Sequence, residues 1–152
     1  MLKKLLTGET SKEQLLELAK RLNLPINDIC YVDQLRYKPN KEGNYILNLR
    51  NPAHWTGLHI SGKKAFYFNS FSNLMKVPKE VIQFMKRCHC TMYYDSDKAI
   101  QRPLQEHCGA FTMDFILHMN RMGDPVENYE AFLSKLQSTN KDVIKYMIRH
   151  LH

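Results

Sequence analysis

Two runs, Trp55-Thr56-Gly57-Leu58-His59-Ile60 and Ala65-Phe66-Tyr67-Phe68, are separated by Ser61-Gly62-Lys63-Lys64, and that arrangement commits the middle of the chain to a β-hairpin. His54 stands directly before the first run and Asn69 directly after the second. Antiparallel pairing folds those two ends back on each other, so any fold that keeps the hairpin sets an imidazole beside a carboxamide. His59 lies five positions from His54 and on a regular strand points to the opposite face, which excludes it from the same site.

A second segment, Gln101-Arg102-Pro103-Leu104-Gln105-Glu106-His107-Cys108-Gly109, leads into Ala110 and then Phe111, Phe115, His118 or Met119, and Met122 at helical spacing, ending at Gly123-Asp124-Pro125. This predicts a helix whose first residue is Cys108. Unpaired N–H groups and the dipole at a helix start favour negative charge on sulfur, and the small Gly109 and Ala110 leave room for a substrate backbone. A thiol needs an imidazole to take its proton, the imidazole needs a third group to fix its tautomer, and the charge formed on an attacked carbonyl oxygen needs a donor. His54, Asn69 and Gln101 are the candidates for these three tasks, and Cys108 is the candidate nucleophile. Gln105 sits nearer Cys108 but at the wrong offset, and His107 adjoins the sulfur too closely in sequence to replace an imidazole from the hairpin.

The order His54-Trp55, an aromatic strand ending in Asn69-Ser70-Phe71, then Gln101 ahead of Cys108-Gly109 resembles the adenovirus-type (adenain-like) maturation cysteine proteases. More broadly it resembles the clan that also contains the SUMO-deconjugating Ulp/SENP-type enzymes. The resemblance runs from about Asn48 to Met122, roughly half the chain. It implies an α+β fold, a mixed and mostly antiparallel central sheet packed between helices, with the nucleophile at the N-terminus of a central helix. It also implies a general base at His54, an orienter at Asn69, an oxyanion donor at Gln101 and a nucleophile at Cys108, with Trp55 shielding the dyad. The seven-residue offset from Gln101 to Cys108, with Pro103 inside it, is closer to the adenoviral form than to the deSUMOylase form. Asn69 departs from the acidic residue usual in the adenoviral enzymes; an amide orients the imidazole but adds no charge to stabilise its cation.

On this resemblance the chain is a viral cysteine endopeptidase that cleaves capsid or core precursors during virion maturation, acting in the virion or the infected cell's nucleus or cytoplasmic factory. Two alternatives are a SUMO or ubiquitin-like isopeptidase on the same framework and a catalytically silent nucleic-acid-binding virion protein. The chemistry itself requires no cofactor or metal. Adenoviral relatives bind DNA without sequence preference and pair a cysteine with an activating viral peptide. The net charge of +7 suits nonspecific DNA binding, though the basic residues are scattered and no DNA-reading pattern is present. Cys90, with Cys88 as the alternative, resembles the peptide-docking cysteine. Cys88-His89-Cys90 also invites a metal reading, but further ligands at standard spacing are lacking.

Elsewhere the chain reads as scaffold for a single domain over residues 1–152, expected to be monomeric. Thr10-Ser11-Lys12-Glu13 reads as a capping box opening a helix with Leu15, Leu18 or Ala19, and Leu22 inward, stopped before Pro25. Tyr45–Leu49 and Thr91–Tyr94 read as strands; Pro78 starts a helix carrying Val81, Ile82 and Met85. Helices are expected over about 126–137 and 141–150. Lys38 to Asn44 is a loop. No apolar run reaches bilayer length, no signal peptide is evident, and four cysteines without framework spacing argue against disulfides and secretion.

Overall fold

The computed structural model describes residues 10–50, 54–71, 76–95 and 108–139, with side chains through 136. In chain order these form α1 (Lys12–Arg21), β1 (Asp28–Tyr31), a 3-10 helix (Val32–Tyr37), β2 (Gly43–Asn48), β3 (Trp55–Ser61), β4 (Lys64–Phe68), α2 (Lys79–Arg87), β5 (Met92–Tyr94), α3 (Cys108–Met119) and α4 (Pro125–Thr139). The segment holding Gln101 and His107, and the expected helix over 141–150, lie outside the described residues.

The five strands form one sheet in sequence order, β1 to β5. Its centre is antiparallel, β2 with β3 and β3 with β4, and its two margins, β1 with β2 and β4 with β5, are parallel. The predicted hairpin is present, with Gly57 opposite Phe68 and Ser61 opposite Lys64. Gly62 turns it at φ +58°, a conformation other residues rarely adopt. Both faces of the sheet are covered, which is why β2, β3 and β4 are buried nearly throughout. Phe66 and Phe68 point into a core shared with α1, α3 and α4; Ala65 and Tyr67 point into a second core shared with α2 and the 3-10 helix.

Helix α3 lies deep between β3 and α4. Gly109 to Met119 are buried except for the partly buried Leu117, so its apolar surface runs all round and no single stripe defines its inner face. Its sequence-predicted end moves back: the helix stops at Met119, and Met122 is almost fully exposed. Gly57 permits the crossing over β3, because a Cβ there would stand 2.5 Å from the Phe115 ring. Asp114, wholly buried on α3, is paired with Lys135 Nζ of α4 at 2.7 Å, which ties the two helices together.

The capping box of α1 is displaced by one residue from the expected Thr10. Ser11 is the N-cap: its hydroxyl accepts from Gln14 N–H and the Gln14 side chain accepts from Ser11 N–H. Thr10 is committed elsewhere, its carbonyl accepting from Trp55 Nε1 at 2.6 Å and its side chain filling the space against Gly109.

Candidate active site

His54 is buried at the open end of the hairpin, and its Nε2 lies 2.8 Å from Asn69 Oδ1. The same oxygen accepts the backbone N–H of Phe71 at 2.8 Å. A backbone N–H can only donate, so the amide atom it meets is the oxygen, and His54 must donate to that oxygen from Nε2. The neutral imidazole therefore keeps its lone pair on Nδ1. Burial pulls the His54 pKa below its ordinary 6.5, and the bond to Asn69 partly offsets this. The imidazole is consequently held largely as a neutral base at pH 7.

Cys108 is the first residue of α3, as the sequence predicts. Its sulfur accepts the backbone N–H of Trp55 at 3.4 Å. Trp55 follows His54 directly, so one peptide unit joins the imidazole-bearing residue to the group that touches the sulfur. Trp55 is fixed at three points: its N–H on Cys108, its carbonyl on the Thr112 hydroxyl at 3.2 Å, and its indole on Thr10. Residues 108 and 112 are one turn apart, so the start of α3 is clamped along a single residue of β3. An N–H donor and a helix start both stabilise negative charge on this sulfur.

Two expectations change. Trp55 packs in the sheet–helix core, whereas the ring stacked on the imidazole belongs to Phe71, with centroids 4.1 Å apart and planes 7° apart. The bare face of Gly109 does not open to a substrate, because Thr10 occupies it; a Cβ there would stand 2.9 Å from the Thr10 side chain. In the sequence Phe71 closes the Asn69-Ser70-Phe71 segment of the resemblance, and its spacing from His54 carries no signature of ring stacking. Gln101 lies outside the described residues.

Cys88-His89-Cys90 closes helix α2. His89 takes φ +60°, its N–H bonds Lys86 O, and Cys90 N–H bonds Met85 O, each at 3.0 Å, so the two donors satisfy the last carbonyls of the helix. Cys90 is buried and Cys88 half-buried, and burial pushes both thiols up, the reverse of an exposed docking thiol. Among the described residues no three His, Cys, Asp or Glu side chains cluster to hold a metal, and no helix is long and apolar enough to cross a membrane. His59, the histidine within β3, bonds Asn44 instead.

The sequence matches no family model and no curated protein. Among solved structures it is similar to the crystal structure of the Se-Met ASFV pS273R protease, at a TM-score of 0.58 and 15% identity over 92% of this chain. A further crystal structure of the ASFV pS273R protease aligns at a TM-score of 0.45 and 18% identity, over 68% of this chain and 40% of that one. At the first of these alignments this chain spans 66% of the solved protein's length and shares its mixed α+β fold.

Proposed function

We propose that the chain is a cysteine endopeptidase in which Cys108 attacks, His54 is the base, Asn69 orients it and Gln101 donates to the oxyanion. The observation that carries this reading is the pair of contacts on one dipeptide: His54 Nε2 on Asn69 Oδ1 at 2.8 Å, and Trp55 N–H on Cys108 Sγ at 3.4 Å. Both contacts are made by adjacent residues, where the hairpin ends and the helix begins.

The sequence of steps follows from the tautomer. His54 Nδ1 takes the thiol proton as sulfur attacks the carbonyl carbon; the carbonyl oxygen becomes an oxyanion facing Gln101 and the Cys108 N–H. Nδ1–H then protonates the departing amine, leaving a thioester on Cys108. Water, deprotonated by the same nitrogen, attacks the thioester and the acid product leaves with the thiol restored. Throughout, Asn69 holds Nε2–H, and the cation formed at each half-step rests against the Phe71 ring.

The proposed substrates are virion precursor proteins, with cleavage in the infected cell or the particle. The charge of +7 supports binding to nonspecific DNA as an accessory, and Cys90, or the half-buried Cys88 as the alternative, is the proposed docking point for an activating peptide. Incubation of wild type and Cys108→Ala with candidate precursors, with and without DNA, tests the reading. Wild type is expected to yield discrete fragments and Cys108→Ala none. A SUMO or ubiquitin-like conjugate in a parallel reaction tests the isopeptidase alternative. Intact folding with no labelling of Cys108 by a peptide electrophile would leave a silent virion protein as the better description.

A further inference from the structure

Arg50 is held both at its backbone and at its side chain. Its backbone sits at φ +68°, in a region that costs a non-glycine residue energy, and its N–H is held by Asn48 Oδ1 at 2.8 Å. Its guanidinium lies 3.6 Å over the Tyr31 ring and bonds Asp33 Oδ1 through Nε at 2.8 Å. Among the described residues its side-chain hydrogen bond runs through Nε alone, so both Nη groups remain to serve a ligand. Stacking and the Nε bond fix the plane of the fork before any ligand arrives, which reduces the ordering cost of using it.

This arginine lines a groove of about 660 Å³ across the ends of β1 and β2, whose wall includes Thr10, Tyr31, Gln34, Asn48 and Trp55. Two of these, Thr10 and Trp55, are also the residues that touch Gly109 and Cys108. The groove and the nucleophile therefore share Trp55, which lines the one and bonds the other through its backbone N–H. Its other charged residues, Lys12 and Glu13, are of opposite sign, and Arg50 already pairs with Asp33 through Nε, so what it keeps for a ligand is its two Nη donors rather than an unpaired charge.

We propose that this groove is a specificity site for an acidic side chain of the polypeptide substrate, whose carboxylate is received by the two Nη groups of Arg50. A planar fork matches a carboxylate with two parallel bonds, and the lining offers Asn, Gln and Thr groups for the peptide backbone beside it. The proposal rests on the endopeptidase reading for the word substrate, but its test does not need turnover.

Trp55 is the chain's single tryptophan and stands in the groove wall, so its fluorescence reports occupancy. The probes are the capped peptides Ala-Ala-Glu-Ala-Ala and its Gln and Lys analogues, titrated into Cys108→Ala protein at fixed ionic strength. The Glu peptide is expected to perturb Trp55 emission with affinity about ten-fold tighter than the Gln peptide, the range for a half-exposed charge-assisted pair. That preference disappears in Arg50→Gln and turns toward the Lys peptide in Arg50→Glu, a reversal that misfolding cannot produce. Equal affinity for the Glu and Gln peptides overturns the proposal, and so does a preference that survives in Arg50→Gln, which assigns the effect to net charge. In active enzyme the same residue should enrich Asp and Glu at one fixed position near the cut in a peptide library. A charge-dependent Trp55 response with no cleavage of any peptide keeps the groove and removes the hydrolase; cleavage without acidic preference does the opposite.

Discussion

Strand β3 has a histidine–asparagine pair towards each end, and only one of them sits at a site. At the open end His54 Nε2 meets Asn69 Oδ1 at 2.8 Å; at the turn end His59 Nδ1 meets Asn44 Oδ1 at 2.6 Å, again with partners fifteen positions apart. Burial lowers both pKa values. The difference lies in what surrounds each ring. Asn44 spends its amide on Pro25 O and locks the start of β2, and Phe66 meets His59 at a tilt of 48°. Around His54 are a ring stacked in parallel and, one residue away, an N–H that bonds a sulfur at a helix start. A hydrogen-bonded His–Asn pair is therefore a structural fastener by default, and its neighbours make it a candidate for catalysis.

The sharpest break of this comparison is to remove each imidazole in turn. His54→Gln should lower alkylation of Cys108 by a peptide electrophile by about 10²- to 10⁴-fold, the range for a lost general base. His59→Gln should leave that rate unchanged and lower unfolding free energy at pH 7 by about 1 kcal/mol through its weakened bond to Asn44. Equal effects of the two substitutions on the alkylation rate would erase the distinction.

The second test is pH. His59 is held down to about 4 against 6.5 in an unfolded chain, so between those values the unfolded state binds more protons and stability rises with pH. Acidifying from 6.5 to 4 should cost up to ~3 kcal/mol, and His54 contributes in the same direction. Denaturant unfolding across that window should show a shallower pH dependence in His59→Gln than in wild type. An identical slope would show that His59 is not held neutral.

The third concerns the amide itself. In a Cys108→Ala background, which removes coupling to the thiol, NMR titration should place His54 below 6.5. Asn69→Asp keeps the acceptor for Nε2–H and for Phe71 N–H while adding a negative charge, so the His54 pKa should rise by about one unit or more. No rise would mean that the introduced carboxylate is itself protonated or turned away.

How much of this was legible in the sequence depends on whether a local pattern had a rival. The hairpin did not: Gly62 between two aromatic runs fixes its register, and with it the meeting of His54 and Asn69. The capping box did, because Thr10…Glu13 and Ser11…Gln14 both satisfy the pattern, and the choice was made by Trp55 taking the Thr10 carbonyl. Strand β1, four residues long, is too short to show a period, and the parallel margins depend on contacts distant in sequence. The apolar stripe assigned to α3 could not locate its end, since a helix buried on all sides loses its amphipathic signal.

The smallest expected effect isolates the stacked ring. Phe71 acts twice, through its side chain on the imidazole and through its N–H on Asn69 Oδ1. Phe71→Leu keeps the N–H and much of the volume, so the Asn69–His54 bond should persist while the aromatic face is lost. That face favours the imidazolium by roughly 0.5 to 1 kcal/mol, so the His54 pKa in the Cys108→Ala background should fall by about half a unit. The shift is opposite in sign to that of Asn69→Asp, although both changes lie on the same short segment after β4. A rise in Phe71→Leu would mean the ring acts chiefly by excluding water. The parallel stack would then be a packing contact, of the same kind as the tilted contact between His59 and Phe66 at the other end of the strand.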